Sequence, residues 1–134
     1  MPAAATTLEA PPLGAGIMAA YAHDDGGGSV SSDASGNLNH GTVNGATWDA
    51  QGYFGGALFF DGSGDYVDLG TWNVPGGELT IAAWIKSNTW ATGDVRIISK
   101  VTGTAENDHY WMISERDKLL RFRLKTNGAN TTLL

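Results

Sequence analysis

The chain has 134 residues, of which 42% are hydrophobic and 16% charged, with no Cys and a formal net charge of -6. That length suits one domain with its own core, and the lack of Cys excludes a disulfide framework, a thiolate metal site and a cysteine nucleophile. The acidic balance argues against nucleic acid as a partner, because phosphate contacts need Lys and Arg.

Residues 1–15, "MPAAATTLEAPPLGA", are rich in Ala, Thr and Pro and read as a linker or disordered lead-in. They lack the basic start and apolar centre of a signal peptide, and no apolar run in the chain reaches the length of a membrane span. From residue 16 onward the segments are short and separated by Gly, Asn, Asp or Pro, the punctuation of an all-β sandwich. Strands are expected at about Ile17–Ala22, Gly41–Val43, Ala57–Phe60, Tyr66–Leu69, Leu79–Lys86, Arg96–Lys100, Tyr110–Ser114 and Leu119–Lys125, with no long helix.

Two of these segments carry the strongest alternation. In "LTIAAWIK", Leu79, Ile81, Ala83 and Ile85 alternate with Thr80, Ala82, Trp84 and Lys86, so the first set is expected to face a core. In "LLRFRLK", Leu120, Phe122 and Leu124 share one face and Arg121, Arg123 and Lys125 the other. The second face reads as a cationic stripe: the solvated side of a half-buried strand or, functionally, a surface for anionic glycans.

All eight Lys and Arg lie at or after Lys86, while Asp24, Asp25, Asp33, Asp49, Asp61, Asp65 and Asp68 crowd the first half. Such an acidic half attracts cations. Within it, "DASGNLNHGTVNG" combines Asp, Asn and Gly, residues that tolerate left-handed backbone and bond their own main chain. The segment is a tight turn or an oxygen-rich calcium loop in which Asp33, Asn37 and Asn39 offer side-chain oxygens. Asp61 and Asp65 in "DGSGDYVD" are read chiefly as turn residues, and His23 and His40 as surface or turn-satisfying groups.

Five Trp residues invite a sugar-binding reading, because flat aromatic faces stack on the apolar faces of pyranose rings. Trp84 and Trp111 lie in expected strands and are assigned to the core. Trp72 in "GTWNVPGG" and Trp90 in "SNTWATGD" sit in loop-like surroundings and are the expected platforms, with Arg121 and Arg123 as accessory ligand contacts. The four Glu residues, Glu9, Glu78, Glu106 and Glu115, are scattered, so the paired carboxylates of glycoside hydrolysis are not suggested and the chain is read as noncatalytic.

Taken in order, "GIMAAYAHDDGGGSVSSDASGNLNHGTVNGATW", "FGGALFFDGSGDYVDLG", "LTIAAWIKSN", "RIISK" and "HYWMIS" resemble the N-terminal two thirds of laminin-G-like, concanavalin A-like lectin and glucanase domains. The resemblance spans residues 16–134. It implies a two-sheet antiparallel jelly-roll sandwich and a carbohydrate-binding or adhesive role in a secreted or cell-surface protein. It also implies calcium at the loop matching Asp33, Asn37 and Asn39. Two departures stand out. "YAHDDG" places Ala22 and His23 where relatives carry an aromatic and then an acidic pair, and relatives continue for several strands beyond the position of Leu134. Open sheet edges are therefore expected, and with them a homo-oligomer.

Overall fold

The computed structural model describes residues 16–88, 93–103, 109–126 and 129–133. Among them the chain is all β, with no helix and three small antiparallel sheets. By its internal contacts it divides into two compact units, residues 1–84 and 85–134.

The first unit is built from very short strands: β1 (Val30–Ser31), β2 (Gly41–Asn44), β3 (Thr47–Asp49), β4 (Ala57–Phe59) and β5 (Tyr66–Asp68). One sheet has the order β1-β2-β5 and the other pairs β3 with β4. Gly41 has to be glycine, since a Cβ there would lie 2.7 Å from Val67 Cγ1 on the neighbouring strand. The second unit is a meander of longer strands, β6 (Asp94–Val101), β7 (His109–Arg116), β8 (Leu119–Thr126) and β9 (Ala129–Leu133), each pairing antiparallel with the next. Asp117 and Lys118 join β7 to β8, both at positive φ (52° and 70°), as a right-twisted two-residue hairpin turn requires.

The expected strands at residues 41–43, 57–60, 66–69, 96–100, 110–114 and 119–125 are present with small shifts of boundary. Residues 17–22 instead make only an isolated bridge, Tyr21 to Asp33. Residues 79–86 form no strand despite their alternation, and Leu79, Trp84 and Ile85 are exposed. Alternation describes a face, but a strand exists only through a hydrogen-bonded neighbour.

The reading of β8 is reversed. Arg121 and Arg123 are only 6% and 7% exposed, whereas Leu120 and Leu124 are 52% and 38% exposed. The two arginines are the buried members of the strand, while Phe122 and Lys125 are both half-buried. Arg121 is accommodated because its guanidinium pairs with Asp94 on β6 and donates to Ser114 Oγ on β7 at 3.3 Å. Burial pushes the Asp94 carboxyl up, but hydrogen bonds from Arg121 and Ser114 and the charges of Arg121 and Arg123 outweigh it, leaving the pKa below its usual value. The cationic stripe is thus part of the packing of this sheet rather than a solvated face.

Candidate functional site

Two places in the first unit concentrate chemistry, and the sequence pointed clearly to one of them. At the loop Asp33–Gly41, the Asp33 carboxylate accepts four hydrogen bonds, from the amides of Ala20, Ser35 and Asn39 and from Ser35 Oγ, at 2.7–3.0 Å. Its own amide donates to His40 Nδ1 at 3.1 Å. Asn37 Nδ2 donates to the carbonyls of Ile17 and Met18, and Asn39 Nδ2 to that of Met18. The Asn39 carbonyl accepts the Tyr21 hydroxyl. These bonds tie residues 17–21 to the loop without a regular ladder. Leu38, between the two Asn residues, is held at φ 60° and is exposed, a strained position for a bulky side chain.

The electrostatics follow. Burial alone would raise the Asp33 pKa, but the amides of Ala20, Ser35 and Asn39 and the Ser35 hydroxyl lower it to about 2. The Tyr21 hydroxyl is raised by burial and by Asp33, and lowered by a hydrogen bond with Trp72. His23, whose Nδ1 lies 2.9 Å from Ser31 Oγ, is lowered by burial against the opposing pull of Asp25 and Asp24.

Asp33, Asn37 and Asn39 are therefore brought together as the sequence implied, but the donor set does not fit a calcium ion in this arrangement. Three N–H groups and one O–H converge on the carboxylate, presenting positive dipole ends where a cation would sit. Both Asn side chains spend their N–H groups on carbonyls that a cation would otherwise claim.

The second place is an exposed aromatic patch. The segment "DAQGYFGG" turns back on itself after β3: Gly52 N–H donates to the Gly55 carbonyl, and Gly56 N–H donates to Asp24 Oδ1. Gly55, at φ 78°, and Gly56 lie so close to Asp24 and the His23 carbonyl that a Cβ at either position would collide. The glycines let the loop close tightly, and its tip carries Tyr53 and Phe54 outward. Tyr53 stacks on Trp84, with ring centroids 4.2 Å apart and planes at 17°. Phe54 meets both edge-on, at 4.6 Å from Tyr53 and 5.7 Å from Trp84. The three side chains remain 69–71% exposed. An open hollow of roughly 440 Å³ is lined by Ile81, Ala82, Ala83 and Trp84 beside this patch.

Of the expected platform residues, Trp72 is half-buried and Trp90 lies outside the described residues. Trp84, assigned to a core by its alternation, is the exposed Trp of the patch. Tyr53 and Phe54 were missed. The signal that would have found them is "GYFGG": two adjacent aromatics between glycines have no single core to share.

Comparison with protein-family models, with curated proteins and with solved structures returned no match.

Proposed function

We propose that the chain is a noncatalytic carbohydrate-binding module of jelly-roll type, with Tyr53, Phe54 and Trp84 as its sugar platform. The carrying observation is the patch itself. Three large rings packed together yet about 70% exposed are unusual on a chain with no further use for them, and such patches mark interaction sites. The rings offer π faces to the C–H surface of a pyranose, while the Tyr53 hydroxyl and the Trp84 indole N–H supply polar ends for its hydroxyls. The order of sequence motifs shared with laminin-G-like domains supports the same reading and, with it, placement outside the cell as part of a larger protein.

A glycan array tests the proposal. A reproducible saccharide signal that falls at least tenfold with Trp84→Ala or Tyr53→Ala supports it, and uniform silence favours the second reading, a structural or adhesive domain without a sugar ligand. That second reading draws on the exposed apolar residues of the second unit, Val95, Leu120 and Leu124 among them, which suit burial by protein rather than by sugar.

Calcium enters through the oxygen-rich sequence of the loop and through the resemblance, and melting in chelator against millimolar calcium decides it. An ion bound only to the folded chain at about 100 times its Kd adds roughly 2.7 kcal/mol. No change leaves Asp33 as the hub of a metal-free loop.

A further inference from the structure

The arrangement of the three rings in the aromatic patch limits what they can hold. Tyr53 and Trp84 lie nearly parallel, 4.2 Å between centroids and 17° between planes, so each ring spends one face on the other. The two faces left over look away from the stack in opposite directions. Phe54 stands across both, its plane at 88° to Tyr53 and 75° to Trp84. No two of these rings therefore present faces side by side in one plane, although all three side chains are 69–71% exposed. A sugar chain lying across several aromatic side chains needs the opposite arrangement, because each stacked pyranose presses its C–H surface on a separate ring face and successive units of an extended chain follow one line. The anchoring of the loop opposes opening the stack into a flat surface. Gly52 N–H is bonded to the Gly55 carbonyl, Gly56 N–H to Asp24 Oδ1, and both Gly55 and Gly56 press directly on the 23–24 segment.

Trp84 is the larger ring of the stacked pair and the one that also lines the neighbouring hollow. That hollow, roughly 440 Å³ and walled by Ile81, Ala82 and Ala83, lies in the lower half of the range of small-molecule pockets, about 300–1,000 Å³. It has the size of a pocket for a small ligand and not of a long cleft. Resting on the sugar-platform reading, we propose that the patch takes a single pyranose unit of a soluble glycan, stacked on the free face of Trp84 beside this hollow, and not the length of an extended or crystalline polysaccharide chain.

The test is a titration of the intact chain, followed by nuclear magnetic resonance at the Trp84 indole N–H. The probes are glucose, N-acetylglucosamine, mannose and xylose, each as the single sugar and as its β-1,4-linked disaccharide and hexasaccharide. In a series that binds, affinity is expected to rise from the single sugar to the hexasaccharide by about sixfold, the ratio of units offered, and to stay below about tenfold. A second stacked unit would multiply that rise by up to about tenfold. Retention on crystalline cellulose and on crystalline chitin is expected to equal that of Trp84→Ala. A rise with length of about tenfold or more, or retention on either crystal beyond that of Trp84→Ala, overturns the single-unit site and leaves the sugar reading standing. Silence of all four series overturns both.

Discussion

Residues 16–84 are held in shape largely by side chains reaching back to the backbone, whereas residues 93–133 are held by a ladder of paired strands. In the first unit no strand exceeds four residues, and Asp24, Asp25, Asp33, Asp49, Asp61, Asp65 and Asp68 each accept a main-chain N–H. In the second, three strands of eight residues pair in sequence, and the notable side-chain interaction is Arg121 with Asp94 and Ser114. The difference explains the charge asymmetry of the sequence. Carboxylates in the first half serve as acceptors for turn amides, while two of the basic residues in the second half are packed into a sheet. It also sets the aromatic patch apart from the paired strands, since the patch rests on a turn built by glycine and aspartate and needs no ladder of its own.

The comparison breaks most sharply at Asp33. Asp33→Ala strands the amides of Ala20, Ser35 and Asn39 together and is expected to cost about 3 kcal/mol, read by denaturant unfolding followed at a first-unit probe. Arg121→Ala removes one partner of a largely buried pair, and because the Asp94 side chain keeps 23% exposure the expected loss is smaller, about 2 kcal/mol. Asp94→Asn should fall between Arg121→Ala and wild type. If Asp33→Ala and Arg121→Ala proved equal and both near zero, neither organising device would hold.

Acid should find the first unit before the second. The folded pKa of Asp33, about 2, lies below its usual 3.8, so its stabilisation is complete above pH 4 and is lost as pH falls through 2. His23 is also lowered, from 6.5, so protonating it opposes folding; its contribution is present above pH 6.5 and begins to be lost below it. Stability of the first unit should therefore decline in two stages, near pH 6 and again below pH 4, in a pH series of melting curves. Asp33→Asn should shrink the lower stage, leaving the part carried by Asp25, whose carboxyl is also lowered by hydrogen bonds from Ser32, and His23→Gln should remove the upper.

Smaller effects sharpen the contrast in turn chemistry. Lys118→Gly relieves a non-glycine residue at φ 70° in the hairpin turn and should stabilise by about 0.5–1 kcal/mol. Leu38→Gly should gain a similar amount, because the exposed Leu38 side chain has little packing to lose at φ 60°. The smallest expected change in stability is that of Trp84→Ala, within about 0.5 kcal/mol for a side chain so exposed.

The strands legible in the sequence were those with both alternation and a partner, above all residues 96–100, 110–114 and 119–125. What could not be read was which side of an alternating strand faces inward when its polar side is arginine. A guanidinium beside a carboxylate and a hydroxyl can be packed away, and Asp94 and Ser114 lie 27 and 7 residues from Arg121 along the chain. Segment 79–86 shows the converse, a convincing pattern that joins no sheet among the described residues. At the loop, the grouping of Asp33, Asn37 and Asn39 was legible from the density of Asp, Asn and Gly in one short stretch. Their roles as acceptor and donors for the main chain were not, because those depend on where residues 17–21 pass. The patch was hidden because Trp84 belongs to an alternating run and its partners lie some thirty residues earlier.

The central claim is that the exposed rings bind sugar while contributing little to folding. Titrating the best saccharide from the array into wild type and Trp84→Ala, with melting curves on both, tests it directly. The account predicts affinity reduced tenfold or more, about 1.4 kcal/mol or greater, at an unchanged melting temperature. Unchanged affinity in a folded Trp84→Ala would contradict it.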